Sequence, residues 1–246
     1  MFDRTAYFDS VRASLFAGNL TQQQVDGQND IIDVWESLPA RFPDLTFDLR
    51  WLAYMLATTY HETSQEMWPI EEYGKGAGMA YGAPDPETGQ TYYGRGYVQL
   101  TWKDNYQRAT TELELTGGND LVWHAARALD GVIAAQVMYR GMYKGWFRSD
   151  SKGPQTLPRY FSDTVDDAYT AREIINGDKA TIPSWSYGES IGVLIAGYHQ
   201  KFLSALDAAS TSVEPQPPPD APTVTITTTG NVEIILNGQS MGVYIG

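Results

Sequence analysis

A repeat of leucines predicts one long buried helix in the first half of the chain. The leucines fall at intervals of four, three and four residues, at Leu45, Leu49, Leu52 and Leu56. This spacing places them on one face of an α-helix. Trp51 and Met55 lie beside that face, so the helix is apolar over much of its surface and is expected to be buried. We expect it to end near His61, which would place Glu62 at its C-terminal edge.

Most of the first two hundred residues have the same helical periodicity, and no strand-like run of any length competes with it. The capping-box pattern from Thr21 to Gln24 predicts a short helix through Val25, and a separate helix is predicted to end near Pro39. Further helices are predicted at residues 7–15, 125–142, 170–175 and 191–206. Residues 74–90, rich in Gly, Pro and Asp, are predicted to form a loop. The predicted fold class is therefore mainly α.

The composition changes abruptly at Val213, where a proline-rich segment begins. Such a segment is typical of a semi-rigid spacer. After it, three short apolar runs predict strands at Val224–Thr227, Val232–Leu236 and Val243–Ile245. Three strands of this size bury too little surface to be stable alone, so the tail is expected to pack on another surface. We predict a helical domain at residues 1–210, a linker at residues 211–222 and a β tail at residues 223–246.

Charge and cysteine content argue against several classes of function. The net charge of −13 argues against a nucleic-acid partner, because phosphate binding needs clustered Lys and Arg. The absence of cysteine excludes a disulfide framework and a thiolate zinc site. The first residues lack the features of a secretory signal, and no apolar run approaches the ~20 residues that cross a bilayer. We therefore expect a soluble chain, made in a reducing compartment and not secreted by a signal of its own, with no membrane span.

Acidic residues after the leucine helix indicate cleavage of a glycosidic bond. That reaction uses one carboxylic acid to protonate the leaving oxygen and one carboxylate to deal with water or the sugar cation. Glu62, where a buried helix meets a polar loop, is expected to be partly buried, which favours its protonated form. Glu71 and Glu72 follow on the loop and could face Glu62 across a groove. Taken alone, each of the three could equally be a helix cap or a solvated charge.

Polar side chains after a glycine-rich segment suit a sugar groove. Gln99, Thr101 and Asn105 offer two amides and a hydroxyl that could hold sugar hydroxyls or a water, although such residues also serve in turns and caps. The three histidines form no HExxH pattern, so a packed histidine is preferred to a metal ligand at each of these positions: His61, His124 and His199. No metal site is predicted.

Three ordered motifs resemble glycoside hydrolase family 19, the family of plant-type chitinases and of many phage endolysins. His61-Glu62-Thr63 matches the acid motif of that family. The segment Tyr92–Thr101, followed by Asn105-Tyr106, matches its aromatic and glycine-rich motif. Ile174-Ile175-Asn176-Gly177 matches a third element. The resemblance covers roughly residues 5 to 207.

The resemblance implies a lysozyme-like helical fold with a deep substrate cleft, an inverting mechanism and no cofactor. It implies that Glu62 is the general acid, that Glu71 is the general base and that Thr101 helps to hold the attacking water. The sugar contacts that it implies are His61, Tyr93, Arg95, Gln99, Asn105 and Asn176.

The chain departs from the family pattern near its third motif. Asp178 stands where the family has a second glycine, and residues 182–188 resemble an insertion before the last helix. Plant members also place the second acid much further along the chain and carry disulfides, and this chain does neither.

Three functions stay open on the sequence. The first is a peptidoglycan hydrolase of the phage endolysin or virion-associated type, which cuts the bond from N-acetylmuramic acid to N-acetylglucosamine at the cell wall. The second is a chitinase, which the acidic net charge favours because cationic patches would help on anionic walls. The third is a catalytically silent binding or structural module whose tail docks into a particle. Whichever function holds, residues 223–246 are expected to mediate self-association or docking rather than catalysis.

Overall fold

The computed structural model describes residues 1–41 and 47–211, together with the backbone of three strands between residues 225 and 242. The chain divides into two units, residues 1–210 and residues 211–246. The predicted linker lies outside the described residues except for Thr211, which is the last residue of a helix.

Helices form most of the first unit, as the sequence predicted. They are α1 (Arg4–Ser14), α2 (Gln22–Arg41), α3 (Leu49–Glu62), α4 (Lys103–Glu112), α5 (Gly131–Lys144), α6 (Leu157–Tyr160) and α7 (Ile191–Thr211). Short 3-10 helices lie at Ala80–Gly82, Gly117–Asn119, Ala125–Leu129 and Thr170–Ile174. No helix among residues 1–41 and 47–211 is long and apolar enough to cross a membrane.

Helix α2 corrects the prediction of two separate helices in this region. The capping box is present, since the Gln24 amide nitrogen of the backbone donates to the Thr21 hydroxyl at 3.2 Å and the Thr21 backbone donates to the Gln24 side chain at 2.9 Å. The helix then continues without a break to Arg41. Gly27 and Gln28, between the two predicted segments, are buried against the rest of the protein. Packing therefore stabilises helix where the apolar periodicity is interrupted.

Helix α3 is the predicted leucine helix, with a later start. Asp48 caps it by accepting from the Arg50 backbone N–H at 2.9 Å, whereas Leu45 lies outside the described residues. Every residue from Trp51 to Tyr60 is buried. The helix ends at Glu62, so the acid is the last helical residue and its neighbour Tyr60 belongs to the core.

The predicted helix at residues 125–142 is two elements. Ala125–Leu129 is a 3-10 helix, and Asp130 then begins α5 by accepting from the Ile133 backbone N–H at 3.2 Å. Asp130 caps α5 and so separates it from the preceding 3-10 helix. The apolar periodicity continues across this boundary and did not reveal it. The predicted helix at residues 170–175 is likewise a 3-10 helix.

Short two-residue strands in the first unit were not predicted. They pair as antiparallel β1 (Ile70–Glu71) with β2 (Arg95–Gly96), β3 (Ser149–Asp150) with β4 (Gly153–Pro154), and β5 (Phe161–Ser162) with β6 (Val165–Asp166). The predicted loop at residues 74–90 connects the first pair and contains the 3-10 turn Ala80–Gly82.

Two clusters of buried side chains hold the first unit together. The larger contains side chains of α1, α2, α3, α5 and α7, and the smaller lies around α4 and the start of α5. Gly27 of α2 is at a close approach, because a Cβ atom there would lie 1.8 Å from the Met67 carbonyl oxygen. Helix α2 therefore packs directly on the turn that follows Glu62.

The second unit is an antiparallel sheet of β7 (Thr225–Thr229), β8 (Asn231–Leu236) and β9 (Gln239–Gly242), in that order. The first two strands overlap their predicted positions. The third begins at Gln239, earlier than predicted, and Gln239 pairs with Leu236. Val243–Ile245 lies outside the described residues.

Candidate active site

Glu62 shares a buried arginine with a second carboxylate. Its side chain is 17% exposed and accepts a hydrogen bond from Nη1 of Arg172, which is 4% exposed. The same guanidinium donates to both oxygens of Asp178, at 2.6 Å and 3.1 Å. Arg172 therefore bridges the two carboxylates and fixes the position of Glu62 at the end of α3.

His61 and Asn176 both interact with members of this group. Burial lowers the pKa of His61 from its usual value, and the nearby Glu62 carboxylate opposes this shift more weakly. The imidazole is therefore neutral near pH 7. The exposed Asn176 donates its amide to Asp178 at 3.0 Å, so the third sequence motif is joined to Glu62 through Asp178 and Arg172.

Glu71 is fixed by the β1–β2 pair, in which it stands opposite Arg95. The Tyr93 hydroxyl donates to its carboxylate at 2.5 Å, and Lys75 Nζ lies 2.9 Å away. Arg95 Nε lies 3.7 Å away. The Tyr93 hydrogen bond, followed by that from Lys75, lowers the pKa of Glu71. Glu71 is therefore held as a carboxylate.

Glu72 points to a different set of partners. Its carboxylate accepts from the Gly94 backbone N–H at 3.1 Å and from the Tyr81 hydroxyl at 3.2 Å. These bonds join the loop after β1 to the glycine-rich segment. Glu72 therefore has a structural role, the connection of these two segments, that Glu71 does not share.

Tyr93 and Arg95 are buried, at 7% and 5% exposure, beside the candidate base. The Arg95 guanidinium lies 3.6 Å from the centre of the Tyr93 ring and donates to the Thr91 carbonyl at 2.8 Å and the Tyr106 hydroxyl at 3.0 Å. The structure thus places both side chains where they hold Glu71. Direct contact between either of them and a sugar stays a prediction.

Gln99, Thr101 and Asn105 form a chain of hydrogen bonds next to this pair. The Gln99 amide donates to the Ile70 carbonyl at 3.1 Å, Thr101 Oγ1 donates to the Gln99 carbonyl at 2.7 Å, and the Asn105 amide donates to the Thr101 carbonyl at 2.8 Å. These hydrogen bonds are the turn and cap interactions that the sequence also allowed for these three residues, as the alternative to sugar contacts. Thr101 Oγ1 keeps lone pairs that can accept from a water molecule.

Sequence reasoning missed Arg172, Lys75 and Trp185. The partner of Arg172, Glu62, is 110 residues away in the sequence, so no local pattern joins them. Lys75, four residues after Glu71, was detectable as a neighbour on the loop. Trp185 is 58% exposed and its ring centre lies 6.3 Å from that of His61.

The described part of the first unit contains no cluster of side chains that could serve as a metal site. Among residues 1–41 and 47–211, no three His, Asp or Glu side chains are close enough together to hold a metal ion.

Comparison with known proteins identifies the fold. No protein-family model and no curated protein matches the chain. A solved bacterial family 19 chitinase is 19% identical, with a TM-score of 0.50, over 87% of this chain and 97% of that chain. Chitinase C from Streptomyces griseus HUT6037 is 20% identical (TM-score 0.48; 87% and 78% of the two chains), and the class IV chitinase from Zea mays is 20% identical (TM-score 0.49; 86% and 94%). The first match shows that this chain has the mainly α, lysozyme-like fold of family 19, as predicted.

Proposed function

We propose that this protein is a glycoside hydrolase that cuts β-1,4 linkages in polymers of N-acetylhexosamine with inversion. The observation that supports this most strongly is that two partly buried carboxyl groups are each held in place by buried partners. Glu71 is stabilised as an anion by Tyr93 and Lys75, and Glu62, the last residue of α3, is held by the buried Arg172. An inverting glycosidase uses two carboxyl groups, one as acid and one as base.

In the proposed mechanism, Glu62 donates its proton to the glycosidic oxygen as the bond breaks. Glu71 removes a proton from a water molecule that attacks the anomeric carbon from the opposite face. Thr101 accepts a hydrogen bond from that water while its own proton is directed to the Gln99 carbonyl. Gln99, Asn105, Asn176 and His61 contact the sugars. No cofactor takes part.

The proposed substrate is the glycan strand of peptidoglycan, as for a phage or prophage endolysin or a virion-associated lysin. On this proposal the protein is made in a bacterial cytoplasm and acts at the cell wall. The short chain distance between Glu62 and Glu71 supports it, by resemblance to short-loop members. Chitin oligomers are the alternative substrate, because the net charge of −13 opposes approach to an anionic wall.

A parallel digest tests both parts of the proposal. Purified peptidoglycan and N-acetylglucosamine oligomers are incubated with the protein and with Glu62→Gln, and products are identified by mass spectrometry. New muramic reducing ends would support the peptidoglycan assignment, and products from the oligomers alone would favour chitinase. Proton NMR of an early digest should show the α-anomer first; a first-formed β-anomer would exclude inversion. Absence of products from both polymers would favour the silent module.

A further inference from the structure

A cavity of about 280 Å³ lies at the end of α3, where His61, the residue before Glu62, forms part of its wall. The proposed mechanism does not use most of the other residues that line it. Its lining residues are Tyr60, His61, Ser64, Gln65, Trp185 and Tyr198. The first four come from the end of α3 and the turn after it. Tyr198 comes from α7, and Trp185 comes from residues 182–188, where the chain departs from the family 19 pattern.

The walls of this cavity are aromatic and well supported. Tyr60 is buried, and its hydroxyl donates to the Leu15 carbonyl at 2.8 Å. The rings of Tyr60 and Tyr198 meet edge to face, with centres 4.7 Å apart. Trp185 and His61 face each other at a tilt of 39°. An indole that is more than half exposed at the mouth of a cavity offers an apolar face to a ligand.

The rim of the cavity is polar but carries no charge. Ser64 supplies a hydroxyl and Gln65 an amide, and none of the six lining residues is Asp, Glu, Lys or Arg. His61 is neutral near pH 7 because of its burial. A ligand with a carboxylate would therefore lose solvation in this cavity without gaining a cation as partner.

The turn that forms the rim is conformationally strained. Ser64 and Gln65 have φ angles of 51° and 73°, in the left-handed region that side chains other than glycine rarely adopt. Met67 follows with φ of 54°. Residues held in such conformations cost free energy and cluster at binding sites. The strain therefore indicates that this turn has a functional role, such as binding a ligand.

We propose that this cavity binds one N-acetylglucosamine ring that carries no lactyl or peptide substituent, with Trp185 as the stacking face. The inference rests on the proposed function and deepens it, because it specifies the sugar next to Glu62. The C–H face of a pyranose ring packs on the indole, and its hydroxyl and acetamido groups bond to Ser64 and Gln65. Ligand pockets start at about 300 Å³, so this cavity has room for one ring. A muramyl residue would bring its lactyl group and acidic peptide into an uncharged site.

The test is an NMR titration of the full-length protein with the free monosaccharide N-acetylglucosamine. The indole N–H signal of Trp185, assigned by its loss in Trp185→Phe, should shift on titration. Trp185→Ala should weaken binding by about tenfold, because it removes the aromatic face on which the sugar packs, and Trp185→Phe should retain part of the affinity. Tyr187→Ala is the matched control, since Tyr187 is a fully exposed aromatic residue of the same segment outside the cavity. Equal affinity of the two alanine variants, or no shift of the Trp185 signal, would overturn the proposal.

A second titration separates the sugar chemistry from the catalytic assignment. N-acetylmuramic acid should bind much more weakly than N-acetylglucosamine, and equal binding would refute the requirement for an unsubstituted ring. Neither titration involves hydrolysis. Binding that depends on Trp185 in a protein without activity would therefore contradict the proposed function alone, and activity without Trp185-dependent binding would contradict this inference alone.

Discussion

Arg172 donates a hydrogen bond to Glu62 from a position 110 residues further along the chain. The guanidinium is almost fully buried and also holds Asp178 through two hydrogen bonds. A buried arginine needs hydrogen-bond acceptors for its guanidinium, because an unpaired buried charge is strongly destabilising. Glu62 therefore has a structural role as well as its proposed chemical one, and the choice of substitution decides which role an experiment measures.

Glu62→Gln should abolish hydrolysis and leave the fold intact. The glutamine side-chain oxygen can still accept from Arg172, but the amide has no proton to give to a leaving oxygen. Loss of a general acid should lower the rate by about a hundredfold or more. Initial rates on an N-acetylglucosamine oligomer and circular dichroism measure the two properties. Glu66→Gln, an exposed neighbour, should keep full activity; an active, folded Glu62→Gln protein would refute the assignment.

Glu71→Gln should be far more damaging to activity than Glu72→Gln. Glu71 is the carboxylate held by Tyr93 and Lys75, and its amide cannot accept a proton from water. Glu72 instead joins two loops through Gly94 and Tyr81. We expect about a hundredfold loss of kcat for the first variant and a smaller loss, with lower stability of the loop, for the second. The opposite order in parallel assays would move the base to Glu72.

Tyr93→Phe should shift the acid limb of the pH–rate profile to higher pH. The Tyr93 hydroxyl is the largest cause of the lowered pKa of Glu71, and its removal raises that pKa. The base is active only when ionised, so activity should disappear at a higher pH in the variant as pH falls. The profile of kcat/KM from pH 3 to pH 7 measures this shift. A variant that is uniformly less active, with an unmoved limb, would contradict the assignment of Glu71 as the base.

His199 should make the protein less stable in acid. It is fully buried between Tyr54 and Phe161, neither ring nitrogen has a hydrogen-bond partner among the described residues, and burial lowers its pKa from 6.5 to about 4. Between these values only the unfolded chain binds the proton. The stability present above pH 6.5 therefore falls by about 3 kcal/mol as pH drops to 4.

Urea unfolding at pH 7 and pH 4.5 measures this loss. His199→Phe should remove most of it, because phenylalanine has no group to protonate. The exposed His124 provides the control, and His124→Gln should behave as wild type. Equal acid sensitivity of wild type and His199→Phe would mean that other groups cause the loss.

The β unit should cause self-association. In the described strands β7 and β9 are the outer members of the sheet, and unpaired strand edges are templates for pairing with another chain. A chain ending at Ser210 should have the mass of a monomer by light scattering and full activity on a soluble oligomer. The full chain should exceed its monomer mass of 27.3 kDa. If both proteins are monomers with equal activity on intact walls, the tail has another role.

Sequence patterns predicted those parts of the fold that depend on near neighbours. The leucine repeat located α3, and the capping box located the start of α2, because both signals act within one or two turns of helix. Two-residue strands such as Ile70–Glu71 are too short to show alternation. The start of α5 at Asp130 was not predicted, because it lies inside an apolar stretch. An aspartate is also common at solvent-exposed positions, so it did not by itself indicate a helix cap.

The candidate site was predictable only in part for the same reason. Glu62 and Glu71 were detectable because the motifs around them are contiguous in sequence. The pairing of Glu62 with Arg172, and the position of Trp185 beside His61, depend on contacts across more than a hundred residues. Gln99 and Asn105 were assigned to sugar from their chemistry, but the Gln99 amide already donates to the Ile70 and Gly96 carbonyls, and Asn105 donates one N–H to the Thr101 carbonyl.

The close approach at Gly27 restricts substitution at a residue that has no proposed chemical role. A single methyl group on Gly27 would collide with the Met67 carbonyl, and the displaced backbone is the turn that carries Ser64 and Gln65 directly after Glu62. The Tyr97 hydroxyl also donates to the Gly27 carbonyl at 3.0 Å, so the same helix position touches the segment that holds Glu71. A map of tolerated substitutions would accordingly show Gly27, on a helix with no proposed chemical role, as restricted as the acids themselves.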